Sequence, residues 1–182
     1  VVSHDNHIND DIYGIESGYE GITRDPDTDI FYLLTESVEF KDNNDKTVYH
    51  PVVTVAVYDE NEMYTEEQIC AAEFEAASDN KGFEGFNLIE IDGNKYFVGL
   101  CEGNYCESGD KGKESGHGRV VLLEFEPVAL DANDAGQYEY LTKLGINCLY
   151  KTIDIFNLPN YIDFIDYSAL QFQQKQDNLY RL

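Results

Sequence analysis

Basic residues are scarce: twelve Lys and Arg stand against 36 Asp and Glu, a formal charge of -24 over 182 residues. Such a surface repels phosphate backbones and anionic headgroups, so neither nucleic acid nor membrane insertion is expected. It suits cations, basic partners and a salty or extracellular medium. Long apolar runs are missing too; none approaches the roughly 20 residues that a spanning helix needs. No Met opens the chain and no signal-peptide pattern follows Val1, which reads as a processed or partial product. There is no Asn-x-Ser/Thr sequon, so N-glycosylation is not expected. Cys-x-x-Cys is absent, which disfavours zinc. Gly-x-Ser-x-Gly is absent, so Ser168 has no nucleophile elbow and reads as a strand hydroxyl.

What is present is aromatic and repetitive. Fourteen Tyr and ten Phe are enough for a globular core. Tyr19-Glu20-Gly21-Ile22 leads to Tyr32-Leu33-Leu34. Phe83-Glu84-Gly85-Phe86 leads to Tyr96-Phe97-Val98, and Tyr167-Ser168-Ala169-Leu170 leads to Tyr180-Arg181-Leu182. The step from Glu20 to Tyr32, from Glu84 to Tyr96 and from Ser168 to Tyr180 is the same twelve residues. After a polar arm at 1–17, copy one spans 18–80, copy two 81–160, and a third begins within 161–182.

Within the first copy, strands are expected over 18–24, 30–35 and 51–58, the last dense in β-branched residues. Asp25-Pro26-Asp27-Thr28-Asp29 is a turn. Over 65–75 two patterns compete. Thr65 and Gln68 have capping-box spacing, but Ala72, Phe74 and Ala76 alternate with acids. The position, fourth before a new copy, favours a strand. In the second copy, strands are expected over 83–91, 94–101, 119–126 and 148–156, with a hairpin at Asp92-Gly93. Residues 102–118 and 127–136 read as loops. Four antiparallel strands per copy predict an all-β fold of β-propeller blades, about two and a half of them; a sandwich of some ten strands is the rival.

The stretches Lys81-Gly82-Phe83-Glu84-Gly85-Phe86, Gly99-Leu100-Cys101-Glu102-Gly103-Asn104-Tyr105-Cys106 and Gly116-His117-Gly118-Arg119-Val120 carry a family resemblance. They resemble uncharacterised propeller proteins related to the "esterase-like activity of phytase" family. Asp166-Tyr167-Ser168-Ala169-Leu170 is similar to the stretch that follows there. The resemblance covers residues 80–170 well and 18–36 loosely. It implies a β-propeller continuing into further strands, and a phytase-like activity only faintly, because fold does not fix function.

Candidate site residues follow from position. Glu20 and Glu84 open equivalent first strands, and paired carboxylates suit a hard cation such as Ca²⁺. Asp25, Asp27, Asp29 and Glu36 fall at positions 1, 3, 5 and 12 of an EF-hand-like spacing, but Ile30 replaces the Gly required at position 6 and the following strand carries Glu36 away. Cys101 and Cys106 flank a short Gly-containing loop that a disulfide can close. Cys70 and Cys148 are either bridged or buried thiols. Lys111, Lys113 and Arg119, with His117, make the one basic spot, an anion-binding candidate among glycines. His50 and His117 each precede a third strand and read as structural; His4 and His7 lie in the polar arm.

The resulting expectation is a secreted or extracellular, non-catalytic binding or structural module, with Ca²⁺ as possible stabiliser. Its expected partners are other protein chains or glycans and the rest of the propeller. The alternative is a Ca²⁺-dependent phytase-like phosphoesterase using channel carboxylates.

Overall fold

Asp92 and Gly93 both take left-handed backbone, φ 52° and 76°, and close the hairpin that the sequence marks there. The computed structural model describes residues 19–58, 64–130, 135–164, 167–168, 170, 173–176 and 179–181. The polar arm, with His4 and His7, lies outside them, as do Asp166 and Ala169.

The described chain is mostly β. Strands β1 (Tyr19–Arg24), β2 (Phe31–Lys41), β3 (Thr47–Tyr58) and β4 (Tyr64–Ala72) form an antiparallel meander. Residues 64–72 are therefore strand, as their place before the second copy indicates, while Phe74 and Ala76 of the alternating pattern lie beyond its end. Strands β5 (Phe83–Ile91), β6 (Asn94–Cys101), β7 (Arg119–Glu124) and β10 (Thr152–Asn157) form a second meander. Strands β11 (Gln173–Gln176) and β12 (Leu179–Arg181) pair as a separate hairpin.

The strands expected over 30–35 and 51–58 are longer, Phe31–Lys41 and Thr47–Tyr58, so most of the charged stretch 36–49 is strand and not loop. Two further expectations change. The single strand expected over 148–156 is two. Its first part, β9 (Cys148–Tyr150), runs parallel to β4 in the first sheet, and β8 (Val128–Ala129) pairs beside it. At Lys151 the chain crosses to the second sheet and becomes its edge, β10. The second change is the helix α2 (Ala135–Thr142). Tyr138 has non-helical backbone, φ -115°, inside it, so Tyr138 and Tyr140 both bury although two residues apart.

The two meanders stack face to face. Tyr32, Leu34, Val53 and Cys70 of the first meet Phe83, Phe86, Phe97 and Val121 of the second. The ring of Phe97 lies 4.7 Å from Phe86 and 4.9 Å from Tyr32. Helix α2 covers the other face of the first sheet with Tyr140, Leu141 and Tyr138 against Val38, Phe40 and Val48. His50 anchors it: one ring nitrogen is 3.1 Å from the Ala72 carbonyl oxygen and the other 2.8 Å from the Tyr140 hydroxyl. Leu158, Tyr167 and Leu170 cover the far face of the second sheet.

The edge strands β1 and β5 of the two sheets are neighbours, and glycine allows it. A Cβ on Gly21 would lie 2.8 Å from the Phe86 Cβ. A Cβ on Gly85 would lie 2.4 Å from the Leu170 Cβ and 2.5 Å from its backbone nitrogen. Gly85→Ala is expected to cost about 2 kcal/mol, because backbone cannot yield as a side-chain tip can. Urea unfolding checks it; an unchanged midpoint would remove the close-approach argument.

Both disulfides are present, Cys70–Cys148 between β4 and β9 and Cys101–Cys106. They are compatible with an oxidising compartment.

Candidate functional site: a carboxylate cluster between the sheets

Pairing registers give the repeated Glu-Gly its physical meaning. Tyr19 pairs with Thr35 and Gly21 with Leu34, so Glu20 is an extra residue in β1. Phe83 pairs with Cys101 and Gly85 with Leu100, so Glu84 is the extra residue in β5. Each is a β-bulge, which frees a residue from the ladder and re-aims its side chain. A third bulge lies between Thr35 and Val38 in β2 and contains Glu36.

The same registers correct the twelve-residue spacing. Tyr32 pairs with Thr23, two residues past the Gly21 bulge. In the second copy the matching residue, Asn87, pairs with Val98, whereas Tyr96 pairs with Ile89. Tyr32 and Tyr96 are therefore two residues out of step. The tight Asp92-Gly93 turn lets β5 and β6 run on, while the first hairpin spends residues 25–30 on its turn. The true counterparts are Thr35 with Cys101, and hence Glu36 with Glu102.

Three of these carboxylates converge. One oxygen each from Glu36, Glu84 and Glu102 lie within 4.8 Å of one another. Glu36 is 6% exposed, and its Oε1 accepts a 3.0 Å hydrogen bond from the Gly82 N–H. Glu102 takes Lys81 on Oε1, while its Oε2 is buried with no hydrogen-bond partner. Burial, then the charges of Glu36, Glu102 and Glu20, push the Glu84 carboxyl up to about 7. Burial also raises Glu36, helped by Glu102 and Glu20 and opposed by the Gly82 N–H. Glu20 itself is exposed at the edge of the cluster. The expected Glu20–Glu84 pair is thus replaced by a Glu36–Glu84–Glu102 triad with Glu20 beside it. The match of Glu36 with Glu102 was hidden because equal sequence spacing pairs Glu36 with Leu100; Glu36 had only its place in the EF-hand-like spacing, and the signal lay in the acid just past each expected second strand, 30–35 and 94–101.

The other candidates sit elsewhere. Asp25 is 1% exposed and takes the Lys95 ammonium at 2.6 and 2.7 Å, with Asp27 also on Lys95 at 2.7 Å. Burial raises the Asp25 carboxyl, but hydrogen bonds from Lys95, the Asp27 N–H and Thr28 outweigh it and leave it low. Asp29 pairs with Arg24. Asp25 and Asp27 thus tie the first turn to Lys95 of β6 in the second sheet, whereas Asp29 pairs back onto β1.

The Gly-rich stretch 102–118 is built rather than a bare loop. Buried Asn104 donates to the Gly112 and Phe164 carbonyls at 3.2 and 2.9 Å and accepts from the His117 N–H at 2.8 Å. Asn104–Cys106 form a short 3-10 turn, and Gly109–Gly112 a single helical turn, α1. Lys111 pairs with Glu107 at 2.9 Å, and Lys111 and Arg119 both lie over the Tyr105 ring. Lys113 is exposed and its N–H bonds the Asp110 carbonyl. His117 stacks on Tyr105 and is structural, as is His50. Ser168 is exposed and outside any strand.

No family model, curated protein or solved structure matches the chain.

Proposed function

We propose that this chain is a propeller-type repeat module, extracellular and non-catalytic, in which the Glu36–Glu84–Glu102 triad holds a divalent cation, Ca²⁺, that fastens one repeat to the next. The buried, unpartnered Oε2 of Glu102 inside a three-carboxylate cluster carries this reading. A buried acceptor without a donor costs about 1–3 kcal/mol, and a bound cation removes that cost. The donor set is all oxygen, which suits Ca²⁺ and not a thiophilic or imidazole-seeking metal. The propeller element is supported by the two stacked meanders, by the adjacent edge strands β1 and β5 and by bulges recurring at matching places. Catalysis is disfavoured because Lys81 is already held by Glu102, so a phosphate ester at the triad would meet mainly negative charge.

Calorimetric titration with CaCl₂ in two buffers of different ionisation enthalpy tests the site. Near pH 7 binding is expected to release protons, since the Glu84 carboxyl is pushed up to about 7 and Glu36 is raised as well. Absence of binding heat in both buffers, with no shift in melting temperature, would refute it.

A further inference from the structure

Where helix α2 lies on the first sheet it leaves a cleft of about 270 Å³. Buried Val48 and His50 of β3 and buried Tyr138 and Tyr140 of α2 line its depth. Asp42 and the exposed Lys46 and Glu75 stand at its rim.

The hydrogen bonds beneath decide what this cleft can hold. The Ala72 carbonyl can only accept, so His50 Nδ1, 3.1 Å away, carries a proton. Burial holds the imidazole below its usual range, so at pH 7 it is neutral and Nε2 is an acceptor. Nε2 therefore takes the Tyr140 hydroxyl proton at 2.8 Å. With that proton committed, the Tyr140 oxygen has only lone pairs left to offer. The Tyr138 hydroxyl proton is committed likewise, to Glu73 Oε1 at 2.9 Å. Lys46 and Gln137 aside, the polar side chains of the cleft offer acceptors.

The charge has the same sense. Burial first, then Glu75 and Asp42, push the Tyr140 phenol up to about 12. Glu73 is answered by Lys151 and Tyr138, but at the rim Asp42 and Glu75 share one cation, Lys46. Lys46 Nζ lies 3.0 Å from Glu75, with side chains 64% and 52% exposed, so the pair is weak and open to exchange. The rings favour an organic cation over a hydrated metal ion. Tyr138 and Tyr140 stand 6.4 Å apart at 56°, and the Tyr138 ring already takes the Lys151 ammonium 5.6 Å from its centre.

We propose that this cleft binds a primary ammonium group on a hydrocarbon stem, the head displacing Lys46 from Glu75 and the stem lying against the tyrosine rings. A lysine side chain of another polypeptide and a free alkylamine both offer that chemistry. The site is separate from the Glu36–Glu84–Glu102 triad, and rests neither on its cation nor on the repeat-module reading.

Titration of the isotope-labelled full chain with pentylammonium chloride, in about 150 mM NaCl, reads this through amide chemical shifts. The expected shifts saturate and centre on residues 46–50, 73–75 and 137–140. Glu75→Gln should weaken binding about threefold, the worth of an exposed ion pair. Lys46→Gln should tighten it by a similar factor, because the resident ammonium is gone. Lys41→Gln makes the same charge change on the same hairpin, beside Glu39, and should leave the affinity unchanged. Glu84→Gln should leave it unchanged too, which separates this cleft from the triad. Nα-acetyl-lysine methylamide distinguishes the two sources: binding tighter than pentylammonium assigns the cleft to a polypeptide's lysine, and weaker binding assigns it to a free amine. Shifts that spread over the acidic surface without saturating, equal shifts from pentanol, or equal effects of Lys46→Gln and Lys41→Gln overturn the proposal.

Discussion

Cys70→Ala/Cys148→Ala is expected to lower the unfolding free energy by about 4 kcal/mol, and Cys101→Ala/Cys106→Ala by about 2 kcal/mol. The difference follows from loop length. The first bridge spans 78 residues of sequence and the second only 5, and a longer closed loop removes more freedom from the unfolded chain. Position adds to it. Cys148 leads into β9, the strand that runs beside β4 before the chain crosses at Lys151 to the second sheet. Loss of that bridge therefore also frees the crossover. Glu73 holds the far side, taking the Lys151 ammonium and the Tyr138 hydroxyl, each at 2.9 Å. Denaturant unfolding of the two variants, with and without reductant, measures both terms. If the short bridge proves the costlier, the loop account is wrong and local order around Asn104 dominates.

Raising the pH from about 5 to about 8 is expected to destabilise the cation-free chain by on the order of 2 kcal/mol, discounted for partial solvent access. Glu84 titrates near 7 when folded, above the 4.5 usual for glutamate. A group raised on folding contributes stability that is complete below its unfolded value and vanishes as the pH passes its folded one. Glu36 is shifted in the same direction. Asp25 and Glu73 are shifted downward, Glu73 by Lys151, Tyr138 and Thr152 working against its burial. Their contribution is lost on the acid side, as the pH falls through their folded values. The cation-free chain should therefore be most stable between these windows, on the mildly acidic side of neutrality. Ca²⁺ should flatten the alkaline limb by occupying the triad. Glu84→Gln should raise the cation-free melting temperature at pH 8 and abolish the Ca²⁺ response together. If the alkaline limb persists unaltered in Glu84→Gln, the triad is not its source.

Much of the architecture could be read locally. Val52, Val53, Val55 and their neighbours announce β3, and Asp92-Gly93 announces a tight hairpin. The recurrence of Glu-Gly was visible too, but that each glutamate sits in a bulge came only with the pairing registers. Helix α2 escaped because Gly136 weakens it and because Tyr138 and Tyr140, two apart, alternate like a strand. Its amphipathicity exists only where the first sheet receives it. The strand at 148–156 looked single because nothing in Cys148-Leu149-Tyr150-Lys151-Thr152 signals a change of sheet.

The sequence by itself determined where β1 to β7 lie, the tight turn, the acidic surface and the placing of a glutamate and a glycine at the head of two copies. Those are set by neighbours a few residues away, through backbone preference and side-chain alternation. Only the tertiary structure decided that Glu84 meets Glu36 and Glu102, that Cys70 reaches Cys148, and that Lys95 neutralises Asp25. Each of those depends on hairpin register and on how one sheet lies on the other, and a turn four residues shorter moves the register without changing the spacing that the sequence displays.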